Sequence, residues 1–190
     1  MSPMEWAVRP LKRYAQFSGR SSRAEFWWFI LGLVVVYVGM SFILGIVAGL
    51  AAGSSGQTEP SAAAFGAIGL ATIFIIIFWL ALLIPIIAVQ TRRLHDTNRS
   101  GYWLLGYYAG YFIYLVLMFG VVGSVMTSAM AGGTAPPDNL GPMFAVVMGF
   151  GFLFFIYSIV LLVFYCQPGT KGANKYGDDP YGNNVEEVFA

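Results

Sequence analysis

Residues 62–103 read AAAFGAIGLATIFIIIFWLALLIPIIAVQTRRLHDTNRSGYW, and this stretch decides the fold. Residues 62–89 contain no Asp, Glu, Lys, Arg or His. Arg92, Arg93, His95, Asp96 and Arg99 then crowd one short polar segment before Tyr102 and Trp103 open another apolar run. A helix of that length crosses about 30 Å of hydrocarbon. The expected unit is a membrane span, a charged turn and the start of the next span. Outward from it the same pattern recurs over residues 26–52, 102–131 and 143–166, again without Asp, Glu, Lys, Arg or His. The fold expected is an all-α membrane protein with four transmembrane helices in one domain. Residues 1–25 lead into the first span and residues 167–190 form a tail.

The basic residues set an orientation. Arg9, Lys12, Arg13, Arg20 and Arg23 precede the first span, Arg92, Arg93 and Arg99 lie between the second and third, and Lys171 and Lys175 follow the fourth. Those are all ten Lys and Arg; the other two loops carry only Glu59 and Asp138. Short loops that retain Lys and Arg stay cytoplasmic. Both termini and the middle turn are therefore expected in the cytoplasm.

Composition agrees with that class. The chain of 190 residues is 58% hydrophobic and 10% charged, with a mean hydropathy of +0.71. A soluble domain is about 25% charged. The first apolar run is too long for the core of a secretion signal and reads as a span. Cys166 is the sole cysteine, which rules out an intramolecular disulfide. His95 is the sole histidine, which rules out a His-based metal cluster.

Local chemistry marks the ends of the spans. Ser22 and Glu25 are spaced as a capping box at the start of the first span. Trp27, Trp28, Tyr102 and Trp103 sit where amphipathic rings meet headgroups. Gly45 with Gly49, and Gly106 with Gly110, would each let helices approach closely. Pro85 should kink the second span. Trp6, Leu11, Tyr14 and Phe17 alternate with Arg9, Lys12 and Arg13 as in a short interfacial helix, started or interrupted near Pro10. A shift of about 76 residues places Arg23, Phe26 and Trp27 on Arg99, Tyr102 and Trp103, and Asn98 on Asn174, as parallel repeats of one hairpin would.

Three polar segments carry the distinctive residues: 17–27 (FSGRSSRAEFW), 92–103 (RRLHDTNRSGYW) and 169–180 (GTKGANKYGDDP). Together they resemble the domain-of-unknown-function family 805, small bacterial inner-membrane proteins. Arg92-Arg93-Leu94-His95-Asp96 followed by Arg99-Ser100-Gly101-Tyr102-Trp103 is the most specific piece. The resemblance implies a four-helix membrane protein and supplies no catalytic residues.

If the helices bundle, the three segments converge into a cap. Arg20, Arg23, Arg92, Arg93, Arg99, Lys171 and Lys175 are the candidates for binding an anionic headgroup or a partner, because the Arg fork matches carboxylate and phosphate. Ser22, Glu25, His95, Asp96, Asn98 and Asn174 are the candidates for holding the cap together. Arg23 or Arg99 is the expected partner of Asp96, and at least one of Arg93 and Arg99 is expected to face a ligand. His95 beside Asp96 does not make a triad, since adjacent residues rarely point at one another.

The function expected is a non-enzymatic inner-membrane scaffold or regulator, with no cofactor. Its expected partners are anionic membrane lipids, a membrane or cytoplasmic protein, and further copies of the chain; nucleic acid is not expected. An oligomeric pore or small-solute transporter is the first alternative, with Tyr107, Tyr111 and Tyr114 on one helical face. An enzyme acting on lipid headgroups is the second. Ion-coupled carriers place an ionisable residue at mid-membrane, and these spans have none.

Overall fold

The computed structural model describes residues 2–53, 62–132, 139–180 and 182. Five helices follow in order: α1 Pro3–Lys12, α2 Arg23–Gly53, α3 Ala62–Asp96, α4 Tyr102–Met130 and α5 Leu140–Cys166. Among the described residues there is no strand, only an isolated antiparallel bridge between Asn174 and Gly177. The last four helices each hold a segment long and apolar enough to cross a membrane. Their apolar residues point outward all round: Val34, Val35, Phe42 and Ile43 on α2, and Ile73, Ile76 and Ile77 on α3, are exposed. Lipid tails are as apolar as Leu, so such faces need no protein partner.

Helix α2 packs on α3 and α4 packs on α5, while α3 touches every other helix. One buried apolar cluster lies at one end of the bundle, while Val121 of α4 and Val147 of α5 are buried nearer the other end. The cluster joins Phe26 and Phe29 of α2, Val89 and Leu94 of α3, Leu104 of α4, and Leu161 and Tyr165 of α5. The three polar segments cover that same end.

Helix α1 starts at Ser2, whose hydroxyl accepts from the Glu5 amide while Glu5 reaches back to the Ser2 amide. It continues through Pro10, which is buried, rather than starting or stopping there. The helix lies against α2, with Ala7 next to Gly32.

Helix α3 runs to Asp96, so Arg92, Arg93, His95 and Asp96 stand on its last turns and not in a turn of their own. Its end explains this. Asn98 adopts a left-handed φ of 59°, the Asn98 amide donates to the His95 carbonyl, and the Arg99 amide donates to Leu94. That is a Schellman ending, with Asn where Gly is commoner. Pro85 lies inside α3 and is fully buried.

Of the two glycine pairs, one is used. A Cβ at Gly106 would come 2.8 Å from the Tyr157 hydroxyl, and one at Gly110 would come 3.2 Å from the Phe154 ring. Gly45 and Gly49 have nothing within 4 Å. The tyrosine face of α4 lies against the same neighbour: the Tyr107, Tyr111 and Tyr114 rings all lie within 6.4 Å of Phe154.

Candidate functional site

Two buried carboxylates organise the capped end. Asp96 is the first. Arg20 Nε donates to its Oδ1 at 2.9 Å, and Arg93, one turn earlier on α3, donates to its Oδ2. Both arginines then reach backbone. Arg20 donates to the carbonyls of Thr170 and Gly172. Arg93 donates to Tyr165 O at 3.0 Å and to Gln167 O. The last carbonyls of a helix lack intrahelical donors. Arg93 supplies them for α5, while Asp96 fixes the fork from behind. Asp179 approaches Arg20 from the tail at 3.9 Å.

Glu25 is the second. Arg92 donates to its Oε1 at 3.2 Å, and Arg9 of α1 lies 3.7 Å from its Oε2. Arg92 also donates to the carbonyls of Arg13 and Gln16, just past α1. The Ser21 amide donates to Arg92 O. One guanidinium thus joins the N-terminal segment, α2 and α3.

The tail straps this assembly. Thr170 N donates to Asp96 O at 2.8 Å, and Asn174 Nδ2 donates to His95 O at 2.9 Å. The His95 ring stacks on Tyr176 with centroids 3.8 Å apart, and its Nδ1 lies 3.2 Å from Gly19 O. A carbonyl only accepts, so that contact sets the proton on Nδ1. Gly169 passes directly over the Asp96 carboxylate, where a Cβ would collide.

The structure brings Arg20, Arg92, Arg93, Ser22, Glu25, His95, Asp96 and Asn174 together. Arg20 is 5% exposed, and Arg92, Arg93 and Asp96 are 0% exposed. The expectation that Arg20, Arg92 and Arg93 face headgroups is thereby corrected: their donors are turned onto internal carboxylates and carbonyls. The partners of Asp96 are corrected too, from Arg23 or Arg99 to Arg20 and Arg93. Arg99 instead lays its guanidinium 3.7 Å from the centre of the Phe164 ring and donates to Gln167 Oε1 at 2.8 Å. The Ser22 hydroxyl accepts from the Glu25 amide at 3.1 Å, but the Glu25 carboxylate faces arginines rather than completing a capping box. Arg23, Lys171 and Lys175 are exposed around the outside.

Sequence reasoning gave no role in the cap to Gly169, Thr170 or Gln167. Gly169 carried a readable signal, being a glycine beside a polar strap. The others act through backbone or neutral polar atoms, and those leave little trace in residue type.

Comparison with known proteins gives the chain relatives but no activity. It is 29% identical over 182 residues to the inner membrane protein YhaI of Escherichia coli strain K12, covering 95% of this chain and 100% of that one. It is 28% identical over 177 residues to the inner membrane protein YhaH of the same strain, covering 93% and 97%. No solved structure matches. The family model described as a protein of unknown function (DUF805) matches residues 14–178. With four membrane-length apolar helices, the chain is an integral membrane protein, and it belongs to the DUF805 family.

Proposed function

We propose that this chain is a non-enzymatic scaffold or regulator of the bacterial inner membrane, with both termini in the cytoplasm. In this reading its cap is an internal lock. Anionic headgroups, or an acidic partner, meet the basic rim outside that lock at Arg23, Lys171 and Lys175. The observation that carries the reading is the closed pairing of Arg20, Arg92 and Arg93 with Asp96 and Glu25 at full burial. A buried ion network of this kind specifies one arrangement of the segments it joins. It holds four chain segments at one membrane surface and leaves exposed lysines around it. Basic residues near an anionic surface contribute about 1 kcal/mol each.

The hairpins α2–α3 and α4–α5 are parallel repeats in this proposal. Contacts between Gln16 and Arg92, Gly19 and His95, and Arg20 and Asp96 each join positions 76 residues apart. Equivalent positions meet where a two-fold axis passes between them, which supports a duplicated hairpin.

Vesicle reconstitution tests the function. Purified protein should show a salt-sensitive preference for phosphatidylglycerol over phosphatidylcholine, reduced by the paired change Lys171→Gln and Lys175→Gln, and should pass no entrapped solute. Solute flux, or equal affinity for both lipids, rejects the reading. Orientation has its own test. In a Cys166→Ser background, a cysteine at Asn139 should react with an impermeant reagent added outside intact cells, and one at Asn98 should not. The opposite labelling rejects the orientation.

A further inference from the structure

A cavity of about 140 Å³ lies between α3, α4 and α5, close beneath the cap. Gln90 of α3, Tyr107 of α4, and Ser158, Leu161, Leu162 and Tyr165 of α5 line it. Tyr165 is held from two sides. Its carbonyl accepts from Arg93, and its ring packs on that of Phe26, 4.6 Å between centroids. The residue is 7% exposed, and its buried hydroxyl has no hydrogen-bond partner among the described residues. Tyr108 donates to Gln90 Oε1 at 2.9 Å, which leaves the Gln90 amide nitrogen as a donor. Ser158 gives its hydrogen to the Phe154 carbonyl at 2.9 Å, so its oxygen has only lone pairs to offer.

The chemistry of the lining decides the occupant. A buried hydroxyl without a partner is costly, and hydrocarbon supplies none. The donors on Tyr165 and Gln90 call for an acceptor. The six lining residues carry no charge, so that acceptor is a neutral oxygen rather than an anion. Leu161 and Leu162 complete the lining and call for hydrocarbon. Leu162 is 50% exposed, so the cavity meets the bilayer there and a ligand enters from lipid. About four waters would fill the volume, at about 30 Å³ each, but each asks for about three polar partners, and the two leucines give none. A cavity of about 150 Å³ holds one benzene-sized molecule. We propose that this cavity binds one small neutral ring compound with a carbonyl group, its oxygen at the Tyr165 hydroxyl and the Gln90 amide and its carbons on Leu161 and Leu162. The site goes beyond the scaffold-or-regulator reading and shares no residue with the basic rim. Tyr165 also receives Arg93, so an occupant braces the joint between α3 and α5 beneath the internal lock.

The test uses the full chain in phosphatidylcholine nanodiscs, with the signal of empty discs subtracted. Cyclohexanone is the probe, and methylcyclohexane is its hydrocarbon counterpart of the same size. Calorimetric titration should show saturable binding of one cyclohexanone per chain, about tenfold tighter than methylcyclohexane. Tyr165→Phe should weaken cyclohexanone about tenfold, the upper range for one neutral hydrogen bond, and leave methylcyclohexane unchanged. The melt of that variant without ligand should hold or rise, because the change removes a buried hydroxyl that has no partner. A clear fall in that melt would show a hydroxyl held by the protein itself and overturns the proposal. Equal affinity for the two probes overturns it, as does cyclohexanone binding that Tyr165→Phe leaves in place. Absence of saturable cyclohexanone binding to the unaltered chain would leave the cavity to water and overturns it too. The unaltered chain decides the comparison of probes even if the variant fails to fold. Lys171→Gln with Lys175→Gln should reduce the lipid preference and leave cyclohexanone binding unchanged, so the cavity and the rim reading fail separately.

Discussion

The Tyr14 hydroxyl donates to the Ala81 carbonyl, the acceptor that Pro85 leaves open four residues further along α3. Proline has no amide to give, so a proline in a helix frees the carbonyl at i−4. In a membrane helix such a group must be satisfied by a neighbour. Here the neighbour comes from the segment just after α1, which pins the N-terminal region onto the second span.

Tyr14→Phe should therefore cost about 1 kcal/mol, the net value of one hydrogen bond. Pro85→Ala restores an amide at the position that would otherwise serve Ala81. In the Pro85→Ala background the same Tyr14→Phe change should cost clearly less. Thermal melts of the two single variants and the double variant in detergent measure the coupling. Additive melts would show that Tyr14 acts through packing alone.

Asp96→Ala removes the shared acceptor of Arg20 and Arg93 inside the cap. Breaking a buried charge pair from one side costs about 3–5 kcal/mol, because the partner charge stays buried. Arg93→Ala should be similarly severe, since it also leaves the Tyr165 and Gln167 carbonyls without their donor. Neither variant should change the lipid preference of whatever protein remains folded. Denaturant melts and vesicle binding on the same preparations separate the two effects.

Gly169→Ala places a methyl group against the Asp96 carboxylate, which two arginines hold in place. Overpacking of this kind costs about 1–3 kcal/mol. With Asp96→Ala already present the methyl has room, so adding Gly169→Ala should then change the melt little. A full additional loss in the double variant would mean that the glycine is needed for its backbone and not for its missing side chain.

The two glycine pairs should behave differently. Gly106→Ala displaces the Tyr157 hydroxyl from the Trp103 carbonyl, a bond of 2.7 Å, and should cost about 1 kcal/mol. Gly45→Ala meets nothing within 4 Å and should be neutral or slightly stabilising, as Ala is the better helix former. Melts of the two variants side by side check the contrast.

Residues 26–52, 62–89, 102–131 and 143–166 could be read as apolar helices without any knowledge of packing. Hydrocarbon accepts only a backbone that satisfies itself, so a long apolar run has one outcome. The segregation of Lys and Arg from those runs was equally plain, as was the convergence of residues 17–27, 92–103 and 169–180 once the helices lie side by side. The first two are local properties, each set by the residues within one span or one loop, and the third follows from them once the spans pack together.

Which charges face inward was settled only by tertiary structure. Arg20 and Arg23 are alike in type and three residues apart, yet one is buried on Asp96 and the other is exposed. Arg92 and Arg93 are adjacent and serve different carboxylates because α3 continues past Val89 and turns their side chains apart. Most of the groups that hold these arginines are backbone carbonyls, of Arg13, Gln16, Tyr165, Gln167, Thr170 and Gly172. Every residue type carries a carbonyl, so composition cannot mark which ones accept. Only the approach of one chain segment to another selects them, and that approach is a property of the folded molecule.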